Sequence, residues 1–179
     1  MIQTSLSFPI GEWQHPNEVS AEQVQRGITT IAAFPDAVDK LVNGLLVEQK
    51  NWRYRPEGWT VKQVVHHCAD SHMNSLIRFK LALTEEDPTI RPYEEDRWAL
   101  LVDSQEDDLS DSITLLRALH RKWTLLLRSL SETDLQRTFV HPATNERLRL
   151  DQNIDNYGWH CAHHLAHIEQ ALNAKGRYN

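Results

Sequence analysis

Apolar residues recur at helical spacing in four long segments of this 179-residue chain. The clearest segment lies between Ser110 and Leu130, where apolar side chains return every three or four positions. Ser20 and Thr60 each stand three residues before a glutamine, the capping-box spacing that begins many helices. Four long amphipathic helices joined by modest connections predict an all-α fold, an up-and-down four-helix bundle. The predicted helices cover residues 20–46, 60–84, 110–130 and 151–175.

The segments between these helices carry weaker signals. Pro35 is expected to kink or break the first helix. Alternation around Phe139 and Leu148 predicts a small β-hairpin or a loop, and a short helix is expected within residues 94–102. Residues 1–19 show no clear period and are interpreted as an ordered or semi-ordered arm. No repeat or long linker divides the chain, so we expect a single domain over residues 1–179.

Charge and composition narrow the possible partners. The net charge of −6 argues against nucleic-acid binding, which needs a basic surface. No apolar run approaches the roughly 18 residues of a membrane span, and the first residues lack the features of a signal peptide. We therefore expect a cytoplasmic protein. Cys68 and Cys161 are expected to be small buried residues, with a thiolate metal ligand as the alternative.

Seven of the ten histidines lie in two short segments, 66–72 and 160–167. On the predicted fourth helix, His164 lies about 60° and His160 about 100° from the centre of the apolar side, whereas His163 and His167 turn toward the flank. His160 and His164 are spaced i, i+4, so both imidazoles can reach one ion. Three interpretations compete for this cluster: a metal site, a proton relay, or a histidine-rich solvated face.

A metal site would need a third ligand, and the first histidine cluster is the obvious source. His72 falls on the apolar side of the second predicted helix, and His66 and His67 do not. His67 begins a polar row that continues through Ser71 and Asn74 to Arg78 at helical spacing. Such a row either faces solvent or lines a pocket inside the bundle. Periodicity therefore leaves the third ligand open.

Several stretches resemble one known family. GWTVKQVVHHCADSHMNSLIRFK, LHRKWTLLLRSL and WHCAHHLAHI, with PIGEW near the start, are similar in order and spacing to the YfiT-like branch of the DinB-like superfamily. The resemblance implies an up-and-down four-helix bundle in which three histidines hold a divalent metal. The family's first ligand follows the tryptophan of the helix start by eight positions, which corresponds here to His67. The other two ligands correspond to His160 and His164.

The same resemblance implies a function. Members of this branch are described as metal-dependent hydrolases, so we expect a small-molecule hydrolase that uses a three-histidine metal and an activated water. The alternatives are a thiol S-transferase that joins a low-molecular-weight thiol, similar to bacillithiol, to electrophiles, and a metal-binding stress protein without turnover. We expect one divalent ion per chain, Zn²⁺ first and Ni²⁺ second, and a homodimer. No general base can be assigned, although five residues near the ligands could orient them: Asp70, His72, His163, His167 and Glu169.

Overall fold

The computed structural model describes residues 5–143 and 145–179. In this part of the chain, long helices occupy the four segments that periodicity predicts. They are α1 (Ala21–Val42), α3 (Val61–Thr84), α5 (Ser110–Arg128) and α7 (Leu150–Ala174). The shorter elements are α2 (Val47–Lys50), α4 (Glu95–Trp98), a 3-10 turn (Asp103–Gln105), α6 (Glu132–Leu135), β1 (Thr138–His141) and β2 (Glu146–Arg149). The prediction of a four-helix bundle with at most a small hairpin is confirmed.

The order of the helices around the bundle differs from their order along the chain. Helix α1 packs against α5 and α7, and α3 packs against the same two helices. The consecutive long helices α1 and α3 therefore lie diagonally across the bundle. This arrangement places α3 beside α7, which brings the two histidine segments onto facing helices.

Local sequence signals define how the long helices begin and end. The side chains of Ser20 and Thr60 each accept a hydrogen bond from the backbone of the glutamine three residues on, and both capping boxes are complete. Helix α7 ends at Lys175 and Gly176, which both adopt positive φ. Pro35 lies inside α1 and does not end it.

Helices α1 and α7 cross at a pair of glycines. A Cβ atom on Gly158 would lie 2.9 Å from the Cα atom of Gly27. A Cβ atom on Gly27 would lie 2.8 Å from the side chain of Ile154. Backbones can approach this closely only where neither residue has a side chain.

Strands β1 and β2 form an antiparallel hairpin, with Phe139 opposite Leu148. The hairpin is tied to the chain that follows α3, because the amide of Ile90 donates to the carbonyl of Val140. Phe139 is fully buried and contributes to the core, so the hairpin closes one end of the bundle. Within the described residues, no helix is both long and apolar enough to span a membrane.

Candidate metal centre

Helices α3 and α7 bring His67, His160 and His164 together. Each imidazole offers one nitrogen atom, and these three nitrogens lie within 4.8 Å of one another. The ring centroids are 4.4 Å apart for His160 and His164, and 4.9 Å apart for His67 and His164. His160 and His164 share a face of α7 because they are one helical turn apart. The facing position on α3 belongs to His67, and neither His66 nor His72 belongs to the group.

Burial keeps the three imidazoles neutral. Desolvation, reinforced by nearby His163, lowers the pKa of His67 to about 4. Desolvation also holds the pKa values of His160 and His164 well below the usual range, and neighbouring imidazoles lower them further. At neutral pH each ring therefore offers an uncharged nitrogen lone pair. Three neutral imidazoles in one cluster fit a divalent ion such as Zn²⁺ or Ni²⁺, which accept nitrogen donors readily.

A chain of buried imidazoles determines which nitrogen of His160 is free. The backbone carbonyl of Ile31 lies 2.6 Å from His120 Nδ1 and can only accept, so His120 Nδ1 carries the proton. His120 Nε2 must then accept from His72 Nδ1, at 2.7 Å. His72 Nε2 in turn accepts from His160 Nδ1, at 3.1 Å. This sequence of bonds leaves the lone pair of His160 on Nε2.

The same logic applies to His164 through a shorter chain. The carbonyl of Ser7 lies 3.1 Å from His167 Nε2 and makes that nitrogen the donor. His167 Nδ1 is then an acceptor and lies 3.4 Å from His164 Nδ1. The proton of neutral His164 therefore sits on Nδ1 and its lone pair on Nε2. Two carbonyl groups, each outside the cluster, orient two of the three rings.

Pro35 explains why the carbonyl of Ile31 is available. An α-helical carbonyl normally accepts from the amide four residues later, and for Ile31 that residue is Pro35, which has no amide hydrogen. The carbonyl is left without its usual helical donor and accepts from His120 instead. Pro35, which was expected to kink or break α1, thus frees the carbonyl to which the chain of imidazoles is bonded.

The N-terminal arm covers the flank of α7. His163 stacks between Trp159, with ring centroids 4.4 Å apart, and Phe8, at 5.8 Å. His167 stacks on Tyr54 at 3.8 Å. His163 is 7% exposed and His167 is 3% exposed, so the interpretation of this flank as a solvated face is wrong. The helical period could not show this, because the covering residues come from distant parts of the sequence.

The other candidates from the sequence lie outside the cluster. Asp70 has a pKa raised to about 6 by burial and by the nearby Asp103, and in the described chain it bonds to none of the three imidazoles. Glu169 is exposed. Cys68 and Cys161 are buried and unbridged, as expected, and burial raises the pKa of both thiols. Both therefore remain protonated at neutral pH and are poor ligands in this state.

A cavity of about 670 Å³ opens beside the cluster. His160 lies in its wall together with Ser71 and Tyr157. The hydroxyl of Tyr157 donates to the carbonyl of Ser71, and Ser71 Oγ lies 3.5 Å from His160 Nε2. A small molecule in this cavity would therefore reach the free nitrogen of His160. The polar row that begins at His67 predicted either a solvent-exposed face or a pocket wall. Two of its members, Ser71 and Arg78, line the cavity, which agrees with the pocket alternative.

The fold and the site together define a class: a four-helix bundle with a buried three-histidine cluster beside an open cavity. The sequence model of the DinB superfamily matches residues 30–168. The chain belongs to this superfamily.

Individual relatives extend the match over nearly the whole chain. "Putative metal-dependent hydrolase YfiT" of Bacillus subtilis is 46% identical over 176 residues, which cover 98% of this chain and 99% of the relative. A protein of Oceanobacillus iheyensis that carries the same descriptive name is 45% identical over 168 residues, covering 94% of this chain and 96% of the relative. The solved structure of YfiT, described as a probable metal-dependent hydrolase with an unusual four-helix bundle topology, superposes with a TM-score of 0.92 at 46% identity. That match covers 96% of this chain and 98% of YfiT.

Proposed function

We propose that this protein is a metal-dependent hydrolase of small molecules, and that His67, His160 and His164 hold its single divalent ion. The observation that carries the proposal is the cluster itself: three neutral, buried imidazole nitrogens within 4.8 Å of one another. The names of the relatives, which describe metal-dependent hydrolases, support the reaction class. Zn²⁺ is the ion that three nitrogens and an open position suit best, and Ni²⁺ is the second choice.

The chemistry follows from the donor set. A divalent ion held by these three imidazoles would lower the pKa of a coordinated water toward neutrality and so supply a nucleophile for an ester, amide or similar bond. The residues of the chain position the substrate. Ser71 Oγ lies beside His160 Nε2 and is held by Tyr157, so this hydroxyl can orient a carbonyl oxygen in the cavity. His72 and His167 hold the rings of His160 and His164 in one tautomer.

A thiol S-transferase is the second candidate, and the chain's own cysteines would take no part in its reaction. Cys68 and Cys161 are both buried with raised thiol pKa values. Any thiol nucleophile would therefore enter through the cavity as a low-molecular-weight substrate. A metal-binding stress protein without turnover is the remaining alternative.

One assay distinguishes the three. Zinc-loaded and chelator-treated protein are incubated with a panel of p-nitrophenyl esters and, separately, with monobromobimane plus a low-molecular-weight thiol. A hydrolase releases p-nitrophenol without thiol and stops when the metal is removed. A transferase speeds the consumption of bromobimane above the uncatalysed reaction with the thiol, and removal of the metal returns the rate to that background. Absence of both activities in protein shown to bind zinc would contradict the enzymatic proposal.

A further inference from the structure

The cavity beside the histidine cluster extends well beyond it. Ser71 marks the end near His160, and Arg78 lies in the wall two helical turns further along α3, about 10 Å away at 1.5 Å per residue. A molecule that fills this space would thus contact both the cluster and the guanidinium group. The chemistry of the protein side chains at the Arg78 end therefore determines which group a substrate must carry there.

Arg78 lacks a hydrogen-bonded partner in the part of the chain that the structure describes, although its charge acts on Glu95 nearby. Within residues 5–143 and 145–179 its guanidinium forms no hydrogen bond and no ion pair, and its Nε atom is buried. A buried donor without an acceptor costs free energy, and more so when the group is charged. An oxygen anion in the cavity would remove that cost.

A second donor lies at the same end of the cavity. His141, at the end of β1, also lines the cavity, and its Nδ1 atom is buried without a partner in the described chain. Burial and the charge of Arg78 lower the pKa of His141 by more than nearby Glu146 raises it, so the ring is neutral and can carry its proton on Nδ1. One guanidinium and one imidazole can together satisfy the two oxygen atoms of a carboxylate.

The rest of the lining selects among anions. The apolar wall includes Phe139, Leu148 and the ring of Tyr157, which favour a hydrocarbon or aromatic body. Four exposed carboxylates form part of the rim: Glu94, Glu95 and Asp96 at α4, and Glu146 on β2. Their charge disfavours a phosphate dianion more strongly than a singly charged carboxylate.

We propose that the substrate of this site carries a carboxylate that binds between Arg78 and His141, joined by an apolar body to the bond that reacts beside His160. The proposal rests on the proposed function for the position of the reacting bond, and the carboxylate site itself needs no metal. Arg78 is therefore a specificity-determining residue of the cavity.

The test uses 4-phenylbutyrate and its neutral analogue 4-phenylbutanamide, titrated calorimetrically into the metal-free and the zinc-loaded protein. A charge-assisted pair predicts that the acid binds about tenfold more tightly than the amide in both forms. Arg78→Gln removes that preference and leaves the weak binding of the amide unchanged. Lys80→Gln removes the same charge from an exposed position two residues along α3 and retains the preference. In the ¹⁵N spectrum, the Nε–H resonance of Arg78 shifts with the acid only.

Three results would overturn the proposal. The first is equal affinity for acid and amide, or no binding of either. The second is a preference for the acid that survives in Arg78→Gln, since the anion would then bind elsewhere. The third is tighter binding of phenyl phosphate than of the acid. Because the metal-free protein gives the answer, a failure here is separate from a failure of the three histidines to bind zinc.

Discussion

At the scale of single residues, the proposed metal site depends on which nitrogen of each buried imidazole carries the proton. The carbonyl of Ile31 orients His120, His72 and His160 in turn, and no carboxylate takes part in the chain. In the proposed metal site, His72 thus has the role that a carboxylate or carbonyl often plays behind a metal-binding histidine. The role is testable, because His72 is outside the three-histidine cluster.

Replacing His72 with Leu should weaken zinc binding by roughly 10- to 100-fold while the three proposed ligands remain, since His160 loses the acceptor for its Nδ1 proton. Competition titration with a chromophoric chelator measures the affinity. His66→Leu is the matched control, because His66 lies on the same helix and bonds to Ser112 and the carbonyl of Glu106 instead. Equal affinities in the two variants would contradict the positioning role.

His120 predicts an acid sensitivity of the metal-free protein. Burial lowers its pKa from 6.5 to about 4, so the folded protein holds the neutral ring while the unfolded chain takes up a proton. The stability is fully present above pH 6.5 and falls as the pH drops from 6.5 toward 4. For this residue alone the loss is about 3 kcal/mol at 1.36 kcal/mol per pKa unit. Urea unfolding of His120→Asn at pH 7.5 and pH 4.5 should show a smaller acid loss than the wild type. An unchanged difference would show that His120 does not account for this part of the loss.

Sequence reasoning reached some of these residues and missed others. The i, i+4 spacing and the helical wheel pointed to His160 and His164, but periodicity alone could not choose between His66, His67 and His72 on the facing helix. That choice came from the family resemblance. The role of His120 could not be predicted, because the sequence around a histidine in the middle of a helix does not indicate which distant carbonyl it will bond to. Even Pro35, a visible signal, could be interpreted only as a disruption of α1.

At the scale of elements, periodicity and capping residues predicted the long helices well. The beginning of α3 after Thr60 and the end at Thr84 follow from the capping box and from Pro88 downstream. The hydrophobic pattern could not predict which helices pack together, since any apolar neighbour can cover the apolar face of an amphipathic helix. Helix α1 contacts α7 closely because Gly27 and Gly158 lie at the crossing. The sequence shows that each glycine lies inside a predicted helix, but not that the two meet.

Gly158→Ala should destabilise the protein although alanine is the better helix former. The change gains about 1 kcal/mol of helix propensity, but the new Cβ atom meets the backbone of Gly27 at 2.9 Å and forces α1 and α7 apart. Overpacking of this kind costs about 1–3 kcal/mol, so we expect a net loss. Thermal and urea unfolding measure it. A variant more stable than the wild type would contradict this prediction, because it would show that α1 and α7 can move apart at little cost in free energy.

At the scale of the whole molecule, the longest run of exposed apolar residues in the described chain lies between α4 and the 3-10 turn. Leu100, Leu101 and Val102 follow α4 consecutively and are 73%, 53% and 86% exposed. Three consecutive exposed apolar residues are typical of an interaction surface more than of a solvated loop. They lie in the segment between α3 and α5 that the sequence left without a period.

We propose that this segment contributes to a homodimer interface. Light scattering at micromolar concentration should report twice the 20.8 kDa mass of the chain. Val102→Asp places a charge in the interface and should shift the protein to the single-chain mass, while an aspartate at Leu125, exposed on α5, should not. A wild-type mass of one chain throughout this range would contradict the proposal.

In the proposed metal site, three histidines from two facing helices bind one divalent ion. Zinc titration of five single alanine variants, each checked for helix content by circular dichroism, tests it most directly. Changes at His67, His160 and His164 should each lower affinity by roughly a hundredfold or more, because two ligands remain. Changes at His66 and His163 should leave the affinity close to that of the wild type, because neither belongs to the cluster. If His163→Ala abolished binding while His160→Ala retained it, or if none of the five changed the affinity, the account of the site would be wrong.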